Sequence, residues 1–299
     1  FFAFKGIIID MNKTNPIGFV DSGVGGLTVI KEAQKQLPNE QFIFIGDTAR
    51  MPYGPRPTEE VVRYTFQMAN YLVEQKHIKL LVIACNTATA RVLSQLQRTL
   101  AIPVIGVIQP GAWAATKTTK NNRIGIIATQ GTVDSGAYDN EIHAFRDDVQ
   151  ITSQAEPEFV QLVESNKYHE AATRNIVSQH LEHMKSQDVD TLILGCTHFP
   201  LLAPFIESAM GPQVTLIDAG RETVRVIQES LLMHDLYTSV AHSHSKDIYY
   251  TTGNTANFRI IATDWLDLPD ALDVRHLNIV ENDRQQYLEE QDGKTNFSQ

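Results

Sequence analysis

The chain has 299 residues, of which 42% are hydrophobic and 20% are charged, a composition typical of a soluble globular protein with room for two domains. Its 25 basic and 35 acidic residues give a formal net charge of −10, which argues against a nucleic-acid partner. No apolar run approaches the roughly 20 residues that span a bilayer, so we expect no membrane partner either. Two cysteines in a chain of this length fit a reducing compartment, and we predict a cytoplasmic protein.

Strand-like and helix-like segments alternate along the chain, which is the pattern of an α/β fold with mainly parallel sheets. A first series of strands is predicted at residues 17–20, 41–45, 80–84 and 103–108, with an amphipathic helix over 58–74 that Thr58 can cap. A second series is predicted at residues 124–128, 149–152, 191–194 and 214–217, with helical stretches such as 169–184. We therefore predict two similar lobes of parallel sheet flanked by helices.

The two series suggest a division of the chain. Residues 1–15 are predicted to be a leader or irregular segment, 16–109 with 220–277 the first lobe, 110–219 the second lobe, and 278–299 a loose polar tail. Turn-forming residues at 110–111 and 218–220 mark the predicted crossings between the lobes.

Cys85 and Cys196 occupy matching settings. Each follows a short apolar run rich in β-branched residues, at 80–84 and 191–195, and precedes small polar residues that suit a helix start. Ligands of open α/β sheets bind at the C-terminal ends of strands, and a thiol at a helix N-terminus ionises more readily. A single cysteine in such a place is often only a small buried side chain, but two in the same context favour a function.

Two paired thiols could serve several kinds of site. A zinc site would need three or four close ligands, a redox pair is more often Cys-x-x-Cys, and a nucleophilic enzyme leaves the second thiol unexplained. Moving a proton from one face of a carbon to the other needs two acid/base groups on opposite sides, and thiols on two facing lobes meet that need. His198, two residues past Cys196, can share protons with such a thiol.

Two further stretches are suited to line a pocket. Residues 17–28 read as a strand, a glycine-rich turn and a helix, which could hold an anion on backbone N–H groups. Asp21 in that turn could bind an ammonium group, orient an acid/base partner, or simply cap the helix. Residues 46–57 form a proline- and glycine-rich loop that could line the pocket or serve only as a connector.

Motifs for cofactors are missing from the sequence. It contains no Walker motif, HExxH or GxSxG, and no lysine follows a strand where a pyridoxal Schiff base would be expected. We therefore predict chemistry without a cofactor and without a metal.

Taken together, the motifs resemble the bacterial glutamate racemases of the cofactor-independent, two-cysteine type. The resemblance extends over about residues 16–270 and rests on DSGVGGLT at 21–28, GDTARMPYGPRP at 46–57, ACNTATA at 84–90, TQGTVDSGAY at 129–138 and GCTH at 195–198. It implies that Cys85 and Cys196 are the acid/base groups, with His198 and Asp21 also catalytic. The implied substrate-binding residues are Asp21, Ser22, Pro52, Tyr53, Gly54, Asn86, Thr87, Thr129, Thr197 and His198, surrounded by Asp47 and Glu164.

The resemblance also implies a function. It predicts interconversion of L- and D-glutamate in a cleft between the lobes, supply of D-glutamate for peptidoglycan, and a homodimer. Two alternatives stay open: an aspartate racemase or related two-cysteine racemase or decarboxylase, and a binding role as an inhibitor of DNA gyrase. Met51, Glu156 and Arg221 depart from the family pattern without touching the matched motifs.

Overall fold

The computed structural model describes residues 12–165, 168, 172–268, 272–282 and 286–291. Parts of three predicted segments lie outside the described residues: 1–11 of the leader, 169–171 of the helical stretch, and 283–285 and 292–299 of the tail. Within the described residues, none of the helices has both the length and the apolar composition of a membrane span.

Strands and helices alternate along most of the chain. The strands are β1 (Ile17–Asp21), β2 (Phe42–Gly46), β3 (Leu80–Ile83), β4 (Val104–Gly106), β5 (Arg123–Ala128), β6 (Gln150–Ala155), β7 (Thr191–Gly195), β8 (Thr215–Asp218), β9 (Ile248–Thr251), β10 (Asp273–Glu281) and β11 (Gln286–Glu290). The helices are α1 (Leu27–Gln36), α2 (Thr58–Lys76), α3 (Asn86–Thr99), α4 (Ile108–Thr118), α5 (Gln130–Asp134), α6 (Ala137–Phe145), α7 (Pro157–Glu164), α8 (Ala172–His180), α9 (Glu182–Ser186), α10 (Ala203–Met210), α11 (Ala219–Met233) and α12 (Thr255–Leu266).

The described strands form two sheets. The first has the order β11-β10-β9-β2-β1-β3-β4, and all its neighbours are parallel except the antiparallel pair β10 and β11. The second has the order β6-β5-β7-β8 and is entirely parallel. Helices flank both sheets, which confirms the predicted two-lobed α/β fold. Since the carboxyl ends of parallel strands share one edge, the residues that follow β1, β2 and β3 meet there.

Burial explains why these strands could be predicted from the sequence. Every residue of β1, β3 and β7 is buried, as expected for parallel strands covered by helices on both faces. Helix α2 confirms the predicted amphipathic helix, although Thr58 does not cap it. Pro57 occupies the N-cap position, and its side chain offers no acceptor.

The crossings between the sheets pass through helices, so the turns predicted at 110–111 and 218–220 are wrong. Ile108 begins α4, and Pro110 lies in its first turn, where backbone N–H groups have no intrahelical partner and proline is tolerated. Asp218 caps α11 by accepting hydrogen bonds from the backbone N–H groups of Gly220 (2.9 Å) and Arg221 (3.2 Å). The predicted strand at 103–108 is correspondingly shorter, since α4 begins inside it.

The tail predicted to be loose from residue 278 contains regular structure in its described part. Residues 278–281 belong to β10, and β11 pairs with that strand in antiparallel register. Glu290 anchors β11 through Lys76 (2.7 Å) and Arg275 (2.9 Å), while Leu288 is buried. The prediction failed because these partners are distant in sequence and leave no local periodicity.

Candidate active site

The two cysteines lie at corresponding strand ends, one on each sheet. Cys85 follows β3 and is the N-cap of α3, where its Sγ accepts the backbone N–H of Ala88 at 3.5 Å. Cys196 follows β7, but a 3₁₀ turn over Phe199–Leu202 comes next, so the two settings are less alike than predicted. Both thiols are free, and each residue is only 6% exposed.

The glycine-rich turn after β1 brings the two strand ends together. Ser22 Oγ lies 3.6 Å from Cys85 Sγ, and the neighbouring Asp21 accepts a hydrogen bond of 3.4 Å from Thr197 Oγ1 on the other lobe. Gly25 makes this approach possible, because a Cβ there would overlap the side chain of Thr197. These contacts join the strand end that carries Cys85 to the strand end that carries Cys196.

Cys85 is held as a neutral thiol. Burial, followed by the nearby charge of Asp21, raises the pKa of Cys85 to about 12. The Ala88 N–H and Ser22 act in the opposite direction but are outweighed. The helix N-terminus therefore acts in the expected direction, but the expected net lowering of this pKa is wrong because desolvation is the larger effect.

Cys196 has a cationic neighbour instead. His198 Nδ1 lies 3.6 Å from Cys196 Sγ, and His198 Nε2 lies 3.1 Å from Glu164 Oε1 at the end of α7. Burial alone would lower the pKa of His198, but its contacts with Cys196 and Glu164 raise it to about 10. The imidazole is therefore protonated at neutral pH, and the site is asymmetric.

Asp21 is buried at the point where the lobes meet. It accepts the backbone N–H of Gly23 at 2.8 Å, and so stabilises the glycine-rich turn. The N-cap of α1 is Gly26, so Asp21 is not the helix cap that was one of its predicted roles. Burial raises the pKa of Asp21, while the charge of His198 and backbone N–H groups counteract that rise.

Asp47 shapes the loop that follows β2. Its fully buried carboxylate accepts hydrogen bonds from Arg50 Nε (2.8 Å), Tyr53 OH (2.5 Å) and Thr252 Oγ1 (2.8 Å). These bonds fix the chain around Pro52, which follows a cis peptide bond. Asp47 thus acts on the site through the loop that it holds.

The loop and α3 both reach the second lobe. A Cβ on Gly54 would lie 3.1 Å from Thr129 Cβ, so the backbone there packs closely on that threonine. Thr87 Oγ1 lies 2.8 Å from Thr129 Oγ1 and 3.2 Å from Thr132 Oγ1. The structure therefore brings the predicted residues of both lobes to one cleft.

Sequence reasoning missed two residues of this cleft. Thr132 joins the threonine contacts, and Tyr138 donates a hydrogen bond of 2.7 Å to Asn86 Oδ1. Both belong to the TQGTVDSGAY stretch, which contributed to the resemblance. Without the fold, nothing in their spacing pairs them with residues about 50 positions earlier.

A separate polar cluster lies before β9. His242, His244 and Asp247 bring three possible metal-ligand atoms within 4.8 Å of one another. Asp247 already accepts hydrogen bonds from both imidazoles, from the Phe42 N–H and from the Gln34 amide. These bonds tie the loop to β2 and α1, and they satisfy the buried carboxylate without an ion.

Comparison with known proteins agrees with the geometry. A family model described as Asp/Glu/Hydantoin racemase matches residues 22–227. The chain is 53% identical over 260 residues to a glutamate racemase from Lactiplantibacillus plantarum, with 87% of this chain and 95% of that protein covered.

Solved structures are similar over nearly their whole length. A glutamate racemase isoform from Bacillus anthracis is 41% identical with a TM-score of 0.85, covering 89% of this chain and 98% of that one. A Francisella tularensis glutamate racemase in complex with D-glutamate is 30% identical with a TM-score of 0.80, covering 91% and 100%. The chain belongs to the Asp/Glu/hydantoin racemase family.

Proposed function

We propose that this protein interconverts L- and D-glutamate by exchanging a proton at the α-carbon between Cys85 and Cys196. The observation that carries the proposal is a pair of buried free thiols, one from each lobe. They lie at strand ends that meet through the contact of Ser22 with Cys85 (3.6 Å) and the hydrogen bond from Thr197 to Asp21 (3.4 Å). The similarity to glutamate racemases supports glutamate as the substrate, and the D-glutamate complex of one relative supports binding of that enantiomer.

The reaction needs no net change of oxidation state. One thiolate forms an S–H bond as the α-C–H bond breaks, and the electron pair stays on the α-carbon and its carboxylate. The opposing S–H bond then breaks as a new C–H bond forms on the other face. Each turnover leaves the proton on the opposite sulfur, so solvent exchange or the reverse reaction restores the starting state.

The neighbours of the two thiols suit them to different roles. Cys196 next to the His198 imidazolium is suited to act as the base, while neutral Cys85 is suited to donate. In the opposite direction Cys85 must lose its proton. A substrate ammonium group bound at Asp21 would neutralise the charge that raises the pKa of Cys85, and so favour that loss.

Stabilisation of the carbanion falls to groups around the carboxylate. We assign this role to the backbone N–H groups at the start of α3, near Asn86 and Thr87, and to those near Thr197 and His198. Tyr53 and Gly54 border the same cleft from the loop, and Thr129 borders it from the second lobe. These residues allow an acidic protein to bind an anionic substrate locally.

The cellular setting follows from the same proposal. D-glutamate made by this reaction would serve peptidoglycan synthesis. Two reduced, buried thiols suit a cytoplasmic enzyme, and the family resemblance suggests a homodimer. Sedimentation of the purified protein would test the dimer.

Circular dichroism tests the substrate directly. We expect L-glutamate without added cofactor to lose its signal completely, and L-aspartate, which is one methylene shorter, to react at least roughly tenfold more slowly. A faster loss of the aspartate signal would favour an aspartate racemase, and no loss with either would refute the proposal.

A further inference from the structure

Tyr138 is buried directly behind the strand end that carries Cys196. It is 2% exposed and lies on α6 of the second lobe. A Cβ on Gly195 would lie 3.1 Å from Tyr138 Cε2, and a Cβ on Gly111 would lie 3.5 Å from Tyr138 Cε1. The ring therefore fills space that these glycines leave open, and its position is fixed relative to Cys196.

The hydroxyl of the same side chain reaches the other lobe. It donates a hydrogen bond of 2.7 Å to Oδ1 of Asn86, the residue after Cys85. Asn86 is 4% exposed and lines the same narrow cavity as Cys196 and Thr197. Tyr138 thus contacts the residue before one cysteine and the residue after the other.

This hydrogen bond selects one of two orientations of the Asn86 amide. Burial, and then the charges of Cys196 and Asp218, raise the pKa of Tyr138 far above neutral, so its O–H remains a donor. With the amide reversed, that buried proton would lose its acceptor, which disfavours the reversed state by roughly tenfold or more. Asn86 Nδ2 has no hydrogen-bond partner among the residues that the structure describes. It keeps some accessible surface, because it is not among the fully buried atoms that lack a partner.

We propose that Tyr138 is a positioning residue that orients Asn86 so that its Nδ2 can donate a hydrogen bond to a carboxylate of the bound amino acid. This inference rests on the proposed function and adds a residue to it. Tyr138 itself acts through Asn86 and through its fixed place behind Cys196.

Tyr138→Phe tests the proposal because it keeps the ring and removes only the hydroxyl. We expect KM for both enantiomers of glutamate to rise roughly tenfold, with kcat changed less than about threefold. The change weakens one side-chain contact in the ground state and the transition state alike, and it leaves in place the backbone N–H groups that stabilise the carbanion. Tyr249→Phe is the matched control. Its buried hydroxyl accepts a hydrogen bond from Gln34 at 3.0 Å beside the His242 cluster, and its kinetics should equal those of the wild type.

A double-mutant cycle separates this role from a purely structural one. If the hydroxyl acts through the amide, Tyr138→Phe should change KM less than about twofold in an Asn86→Ala background. Calorimetric affinity for D-glutamate should follow the same pattern. An unchanged KM in the single variant, or an equal loss in both backgrounds, would overturn the inference while leaving the proposed function intact. Absence of turnover and of D-glutamate binding in the wild type would refute both.

Discussion

Replacing Glu164 with glutamine tests whether this carboxylate keeps His198 protonated beside Cys196. Glu164 Oε1 lies 3.1 Å from His198 Nε2, and glutamine keeps the size of the side chain but removes its charge. The imidazolium loses the counter-charge that helps to raise its pKa to about 10, so His198 should lose its proton at lower pH.

The size of the effect follows from the geometry of the pair. An opposite charge at this distance usually changes a protonation equilibrium by about ten- to a thousandfold. Since the side chain of Glu164 is 22% exposed, solvent screening favours the lower end. We therefore expect the alkaline limb of kcat/KM to move down by about one pH unit.

Circular dichroism would be used to measure kcat/KM from about pH 6 to pH 10.5, with each enantiomer in turn as the substrate. The displacement should be larger in the direction in which Cys196 donates its proton. Glu158→Gln is the control, since Glu158 Oε2 lies 3.1 Å from His180 Nε2 in an ion pair away from the thiols. A Glu164→Gln profile that coincides with the wild type in both directions would refute this role of Glu164.

Three further outcomes are expected. Asp47→Asn leaves buried Arg50 without its charge partner and should destabilise the fold by roughly 3 kcal/mol or more in urea unfolding, whereas an unchanged midpoint would contradict the role of that ion pair. The Cys85 thiol, with a pKa of about 12, should react with iodoacetamide at pH 7.5 far more slowly than free cysteine, as peptide mass mapping would show. Because the pKa of His198 is raised from 6.5 to about 10, its stabilising contribution is full below pH 6.5 and is lost as the pH rises through 10. The difference in melting temperature between the wild type and the His198→Asn variant should therefore become smaller over that range.

The elements that could be predicted from the sequence are those whose signals are local. β3 and β7 are short apolar runs ended by a cysteine, so both the strands and the placement of Cys85 and Cys196 could be read directly. The position of Glu164 beside His198 could not be derived that way, because α7 is positioned by packing across the second lobe. Its role was available only through the resemblance.

The errors also have physical causes. Pro110 read as a turn because proline breaks helices, yet the first turn of α4 does not need its N–H. β11 read as loose because its stability comes from ion pairs with remote residues. The lowered pKa expected for Cys85 ignored desolvation, and the extent of burial is a property of the fold rather than of the neighbouring sequence.

Deuterium wash-in with the two single cysteine variants tests the two-base mechanism most directly. Each enantiomer of glutamate would be incubated in D2O with Cys85→Ala and with Cys196→Ala, and the α-deuterium content followed by NMR. We predict that each variant labels one enantiomer only, that the two variants have opposite preferences, and that the lost exchange falls at least roughly a hundredfold. Equal labelling of both enantiomers by either variant would contradict an exchange in which each thiol serves one face of the substrate.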